Sequence, residues 1–169
     1  MAQRHTAYLK RSAKGVRPEQ ILKAIRDVEW DLVAQACGVS MARIEEAHGN
    51  MRIGREGRGF RRYDLSYRPG DARPVLIERW RTAAIASGVI QEAIENLDPK
   101  KPQHRKARAF LEECVDTVTA SYGSGPGEAM APILASQACL WLAQQFDGVI
   151  LDPCGDWYVP KDDLDLKPL

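Results

Sequence analysis

The stretch from residue 128 to residue 160, EAMAPILASQACLWLAQQFDGVILDPCGDWYVP, constrains the fold more than any other. It reads as a long apolar helix over residues 130–146, an Asp147-Gly148 reversal, a short strand, an Asp152-Pro153 break and a final aromatic segment. Pro132 is tolerable only in the first turn of such a helix, where its missing N–H breaks no hydrogen bond. Ile133, Leu134, Leu140, Trp141, Leu142 and Phe146 spread around most of the circumference. A helix that is apolar all round packs on more than one side, so it belongs at the centre of a core. Gly148 is expected to end it. Val149-Ile150-Leu151 is too apolar for an edge strand facing water and is expected inside a sheet.

The rest of the chain supplies shorter elements. Residues 6–11 read as a first strand, with Tyr8 as its core contact. Pro18 opens a helix, and Ile21, Leu22, Ile25, Val28, Leu32, Val33 and Ala36 follow at helical spacing. Gly38 supplies its stop. FRRYDLSY (60–67) and PVLIERW (74–80) read as strands joined by the Arg68-Pro69-Gly70-Asp71 turn. In the second, Val75, Ile77 and Arg79 face one way, and Leu76, Glu78 and Trp80 the other. Residues 81–97 read as a helix with Ile85, Val89, Ile90, Ala93, Ile94 and Leu97 on its apolar side. DPKKPQHRKAR (98–108) reads as a polar connection, and residues 109–122 are open between helix and strand. The expectation is an α+β fold, with a mixed or antiparallel sheet packed with about three helices. Residues 1–160 form one domain, and residues 161–169 form a charged tail.

Composition narrows the class. A chain of 169 residues matches one domain. No apolar run approaches the roughly 20 residues that span a bilayer, so no membrane association is expected. The basic start, MAQRHTAYLKRSAKG, lacks the apolar stretch of a secretory signal. Cys37, Cys114, Cys139 and Cys154 lie far apart, with no CxxC pair. They are expected to be buried, reduced thiols of a cytoplasmic protein. His5, His48 and His104 do not cluster with them as zinc ligands, so neither metal nor cofactor is expected. The net charge of +1 hides an asymmetry. Residues 1–75 carry 15 Lys and Arg against 9 Asp and Glu, while residues 76–169 carry 9 against 14. The two halves either present differently charged surfaces or face each other and partly cancel.

Four segments carry candidate chemistry. Residues 30–50, WDLVAQACGVSMARIEEAHGN, resemble a helix-turn-helix. Ala34, Gly38 and Ile44 take the small-residue, turn-glycine and core-aliphatic places of that motif. Met41, Ala42, Arg43, Glu45 and Glu46 would then lie on the reading helix. Arg52, Arg55, Arg58, Arg61 and Arg62 would lie on a glycine-rich wing, where arginine neutralises phosphate. In the opposing reading Gly38 is only a helix stop, residues 41–47 are a strand, and the arginines are a solvated face. The glutamates at 45 and 46 favour that reading.

The loop GSGPG (123–127) lies between a strand and a helix, where backbone N–H groups cradle phosphate. No Lys-Ser/Thr pair follows, Pro126 removes a donor and Glu128 repels an anion, so a plain connection is expected. The acidic set Asp147, Asp152, Asp156, Asp162, Asp163 and Asp165 is of a type that binds Mg²⁺ or does acid–base work. Asp147 and Asp152, however, sit at a turn and a strand end, which favour Asp for backbone reasons. No Ser/His/Asp or Cys/His set can be argued, so no catalytic residue is assigned. An enzyme remains a third reading; alanine at Asp152 and Asp156 would abolish its activity. The fourth segment is DPCGDWY (152–158). There Asp152, Asp156, Trp157 and Tyr158 form a candidate partner-binding end, unless Trp157 caps the core.

Two stretches resemble small bacterial immunity proteins of polymorphic-toxin and contact-dependent systems. They are AYLKRS followed by RPEQILKAI, and LAQQFDGVILDP. Together they cover about thirty residues. The resemblance implies a cytoplasmic, non-enzymatic protein that neutralises a cognate toxin by direct binding, with that toxin as its protein partner. No binding residue carries over. A net charge near zero leaves the toxin class open. Nucleic acid is the partner under the helix-turn-helix alternative, and whether residues 39–47 are helix or strand separates the two readings.

Overall fold

The computed structural model describes residues 2–70, 73–80, 82–123, 125, 129–160 and 166–168. Among them are eight strands and six helices. The strands are β1 (Ala2–Leu9), β2 (Arg52–Glu56), β3 (Arg62–Ser66), β4 (Val75–Arg79), β5 (Asp116–Gly123), β6 (Gly148–Leu151), β7 (Trp157–Pro160) and β8 (Leu166–Pro168). The helices are α1 (Pro18–Arg26), α2 (Trp30–Cys37), α3 (Met41–Asn50), α4 (Ala83–Glu95), α5 (Pro102–Leu111) and α6 (Met130–Gln145). The strands form one sheet in the order β2-β3-β4-β5-β1-β6-β7-β8. Every pairing is antiparallel. The fold is α+β, with twice the expected number of helices. None of the described helices is long and apolar enough to cross a membrane.

Register assigns each residue to a face, because side chains alternate along a strand. Ala7 lies opposite Val118 and Ile150, Ile77 opposite Ala120 and Tyr63, and Leu65 opposite Val75. These residues form one face, on which α6 lies, and all are buried. As its all-round apolar pattern requires, α6 buries ten of its sixteen residues. Its far side packs on α1 and α3.

The other face divides into two halves. Tyr8, Val149 and Trp157 form a second core cluster with Ile90, Ile94, Leu97, Ala107 and Leu111 from α4, α5 and the turn between them. Here α4 packs on β5 and α5 on β7. On β2, β3 and β4 the same face carries Arg52, Glu56, Arg62, Asp64, Leu76 and Glu78, all exposed or half-exposed. No described helix covers them.

Several expectations are corrected. The helix opened by Pro18 ends at Arg26, and α2 begins anew at Trp30. Trp30 Nε1 donates to the Ile25 carbonyl at 3.0 Å, which seats the indole inward and resets the phase of α2. Leu32 and Ala36 therefore face solvent. Residues 41–50 are helical, so the strand reading of that segment is overturned. The polar connection at 98–108 contains most of α5; Pro102 sits in its first turn, and Ala107 and Leu111 anchor it four residues apart. Ile85 is exposed on α4, because Ala86, Ile90 and Ile94 form the inward stripe.

Cys37 and Cys154 are exposed; Cys139 is buried and Cys114 half-buried. Burial pushes the Cys139 and Cys114 thiols up to about 12. Residues 166–168 extend the sheet from β7, within the segment expected to be a tail. Gly148 does not end α6. Asp147, at φ 52°, turns the chain, and Gly148 is the first residue of β6. A Cβ there would stand 2.7 Å from the Tyr8 carbonyl oxygen and 3.0 Å from Ala143 Cα, so only glycine lets β6 approach β1 and α6.

Candidate functional site

The C-terminal turn is a self-contained structure. Asp152 Oδ1 accepts the N–H groups of Cys154 at 2.8 Å and Asp156 at 2.9 Å. The backbone closes the same loop, with the Asp152 N–H donating to the Asp156 carbonyl at 3.0 Å. Gly155 takes φ 91°, which a side chain would strain. Asp152 thus holds together the hairpin between β6 and β7. Trp157 is 2% exposed, and its ring packs on Tyr8 at 5.4 Å. Gln103 of α5 donates to its carbonyl at 3.0 Å. Of the four residues proposed for partner contact, Trp157 is therefore a core side chain. Asp156 is exposed and Tyr158 half-buried. Desolvation, then Asp152 and Asp156, holds the Tyr158 phenol above its ordinary range.

Residues 30–50 form two helices, α2 and α3, joined through residues 38–40. Gly38 is left-handed at φ 64°, while Ala34 and Ile44 are buried and belong to the main core cluster. Trp30 meets His48 edge-on at 5.0 Å, which ties the start of α2 to the end of α3. The exposed face of α3 carries Met41, Ala42, Arg43, Glu45 and Glu46. The hairpin of β2 and β3 follows directly, with residues 57–61 at its tip.

The six arginines split into two sets. Arg62 Nε donates to Asp64 Oδ1 at 3.0 Å and lies 3.4 Å from Glu56. The hydrogen bond to Asp64 is the main reason its guanidinium is held above the usual range. Arg52 turns back on the chain and donates to the carbonyls of Met51 and Gly49. Arg43, Arg55, Arg58 and Arg61 are exposed, with no ion-pair partner among the described residues.

The uncovered half of the sheet holds a hollow of about 330 Å³. Glu56, Arg61 and Arg62 line it from the β2–β3 hairpin, Glu78, Arg79 and Trp80 from β4 and the residue beyond, Thr119 from β5, and Ile85 from α4. Trp80 is 38% exposed and Ile85 45% exposed. The Arg79 N–H donates to the Arg61 carbonyl at 2.9 Å, which pins the hairpin tip beside the hollow.

Behind it, Arg79 Nε donates to Asp116 Oδ2 at 2.7 Å, and Asp116 is 1% exposed. Asp116 also accepts from the Ala13 N–H at 2.9 Å and from Ser12 Oγ at 3.3 Å. A buried carboxylate is tolerable only when paired and hydrogen-bonded in this way. The pair joins β4, β5 and the chain after β1, and it fixes the floor of the hollow.

Sequence reasoning missed the hollow and this pair, although two signals pointed there. Asp116 is the one charge in a β-branched run, and Arg79 shares the inward parity of Val75 and Ile77. An arginine at an inward position demands a counter-charge. Of the predicted site residues, only Arg61 and Arg62 reach the hollow. Ser124, Pro126, Gly127 and Glu128 of the glycine-rich stretch lie outside the described residues, as do Asp71, Asp162, Asp163 and Asp165. Comparison of the chain with protein-family models, with curated proteins and with solved structures found no match.

Proposed function

We propose that this chain is a binding protein that engages a protein partner directly, with the hollow on the uncovered half of the sheet as the contact site. One observation carries the reading: exposed Trp80 and Ile85 stand in a concave surface beside Arg61 and Arg62. Trp and Arg dominate the energetics of protein interfaces, above all in pockets that a partner can desolvate. An apolar centre with a charged rim is the usual anatomy of such a patch. The resemblance to immunity proteins adds the role: a cytoplasmic inhibitor that occupies a cognate toxin.

The test is recovery of a partner. The tagged chain, expressed in its native host, is expected to co-purify with a stoichiometric protein. Arg61→Glu and Ile85→Arg are expected to lose it while melting like the wild type, since both positions are exposed. Recovery of no such protein, or equal recovery by the two variants, overturns the reading.

The order α1-α2-α3-β2-β3 favours a second reading. Three short helices followed by a hairpin rich in free arginines match a winged nucleic-acid binder. In that case affinity for duplex DNA falls with salt, by about 0.9 log units per log unit for each phosphate contacted. Arg55→Ala and Arg58→Ala are each expected to lower that slope by about one. Binding that ignores salt, or no binding at low salt, removes this alternative.

A further inference from the structure

β2 ends the sheet, and its outer backbone groups bond to no other element among the described residues. Such an edge is a template for another strand. Proteins usually blunt it with charge, and β2, with the sequence Arg52-Ile53-Gly54-Arg55-Glu56, carries three charged residues. Their arrangement does more than repel. Arg52 and Glu56 share a face with Gly54 midway between them, and all three are exposed. A two-fold axis through Gly54, perpendicular to the sheet, would set Arg52 of one copy opposite Glu56 of the other, twice over. We propose that β2 pairs antiparallel with β2 of a second copy of this chain, joining the two sheets into one.

Three features select this occupant and this register. A perpendicular two-fold axis pairs only residues of one face, so the axis must pass through a residue. Placed at Arg55, it sets that arginine against itself. Placed at Ile53, it makes no charge pair. Only Gly54 gives two opposite-charge pairs, and opposite charges directly across a strand pair stabilise it. Glycine at the axis has no side chain to hinder close approach of two backbones. Glu56 already lies 3.4 Å from Arg62, so in the dimer its carboxylate would accept from two guanidinium groups. The same register lays Ile53 against the aliphatic stem of the other Arg55. Five residues bury less than a permanent interface needs, so the dimer is reversible and depends on concentration.

Sedimentation velocity on the full chain over a concentration series tests this. The wild type is expected to shift from monomer to dimer. Arg52→Glu alone and Glu56→Arg alone place like charges across the axis, so each is expected to weaken the dimer about tenfold. An equimolar mixture of those two variants restores both opposite-charge pairs and is expected to form a heterodimer of wild-type strength. Both positions are exposed, so the melting temperatures should stay at the wild-type value, and the mixture reads association even if they shift. A wild type that stays monomeric throughout overturns the proposal. So do single variants that dimerise like the wild type, or a mixture that does not associate.

Discussion

On β1, β6 and β7, one face of the sheet carries Tyr8, Val149 and Trp157, and α4 and α5 lie over it. On β2, β3 and β4 the same face carries Arg52, Glu56, Arg62, Asp64, Leu76 and Glu78, and no described helix crosses it. Backbone parity is identical in the two halves; only the residue types differ. Eight antiparallel strands make a sheet wider than two short helices can cover. The described residues supply one complete layer, centred on α6, and half of a second. The uncovered half is therefore mostly polar, and the apolar side chains there, half-exposed Leu76 and exposed Trp80 and Ile85, stand out against it. The most direct way to break this contrast is to mutate a comparable residue on each side and compare the losses.

The largest loss is expected on the covered half. Trp157→Ala removes a ring that is 2% exposed and packed on Tyr8, and it leaves a cavity beneath α5. Large-to-small changes of this kind cost about 4 kcal/mol. Urea denaturation should show the midpoint falling with an unchanged slope. A cost below about 1 kcal/mol would mean that the cluster under α4 and α5 is not a core.

Next comes the pair beneath the hollow. Asp116→Ala leaves the Arg79 guanidinium, on a side chain 14% exposed, without its counter-charge. The Ala13 N–H and Ser12 Oγ lose their acceptor as well. Breaking a buried pair from one side costs about 3 kcal/mol. Circular dichroism melts of Asp116→Ala beside the double variant Arg79→Met/Asp116→Leu separate pairing from packing. The double variant should recover much of the loss, because it removes both charges.

How legible each half was follows from its chemistry. α6 and β6 were plain, since their side chains are apolar in every direction and admit few environments. β3 and β4 were plain because Pro69 and Gly70 mark the turn and alternation marks the strands. α5 was hidden: it touches the core only through Ala107 and Leu111, with Phe110 half-buried, and its other sides are charged. β2 was hidden because an edge strand carries one apolar residue, Ile53, and reads like a loop. Trp157 was left between surface and core because Asp156 and Tyr158 flank it in sequence. Its register opposite Leu151 decides its place. The hollow draws on residues 56, 61, 62, 78–80, 85 and 119, which no local pattern connects.

A pH titration is expected to give a smaller effect and sharpens the view of the covered strands. His5 on β1 is 8% exposed, stacks on Tyr122 at 5.9 Å, and has no hydrogen-bond partner for Nδ1 among the described residues. Burial lowers its pKa from 6.5 to about 4, against a weaker pull upward from Asp152. As pH falls below 6.5 the unfolded chain takes up the proton first, so stability falls until the folded state also binds it near pH 4. By about pH 5 the loss is about 2 kcal/mol. Denaturant midpoints at a series of pH values should show this slope in the wild type and lose it in His5→Gln. A slope that persists in the variant would assign the effect to other groups.

The smallest loss is expected at Arg62→Ala, and its smallness is the point. Arg62 sits between Asp64 at 3.0 Å and Glu56 at 3.4 Å, so by distance alone it looks like a keystone of the uncovered half. Its side chain is 37% exposed, however, and those of its partners 39% and 67%. Water and salt screen such a group over about 8 Å at physiological ionic strength, and holding long side chains in one geometry costs entropy. The net loss should therefore be about 0.5 kcal/mol or less, shrinking further in high salt. Urea midpoints at two salt concentrations measure it. A loss near 2 kcal/mol would mean that Arg62 is desolvated in solution, by a second copy across β2 or by another occupant of the hollow, and the half described as open would then be covered. A negligible loss, alongside loss of a partner in Arg61→Glu, would mean that the charges on this half serve contact rather than folding.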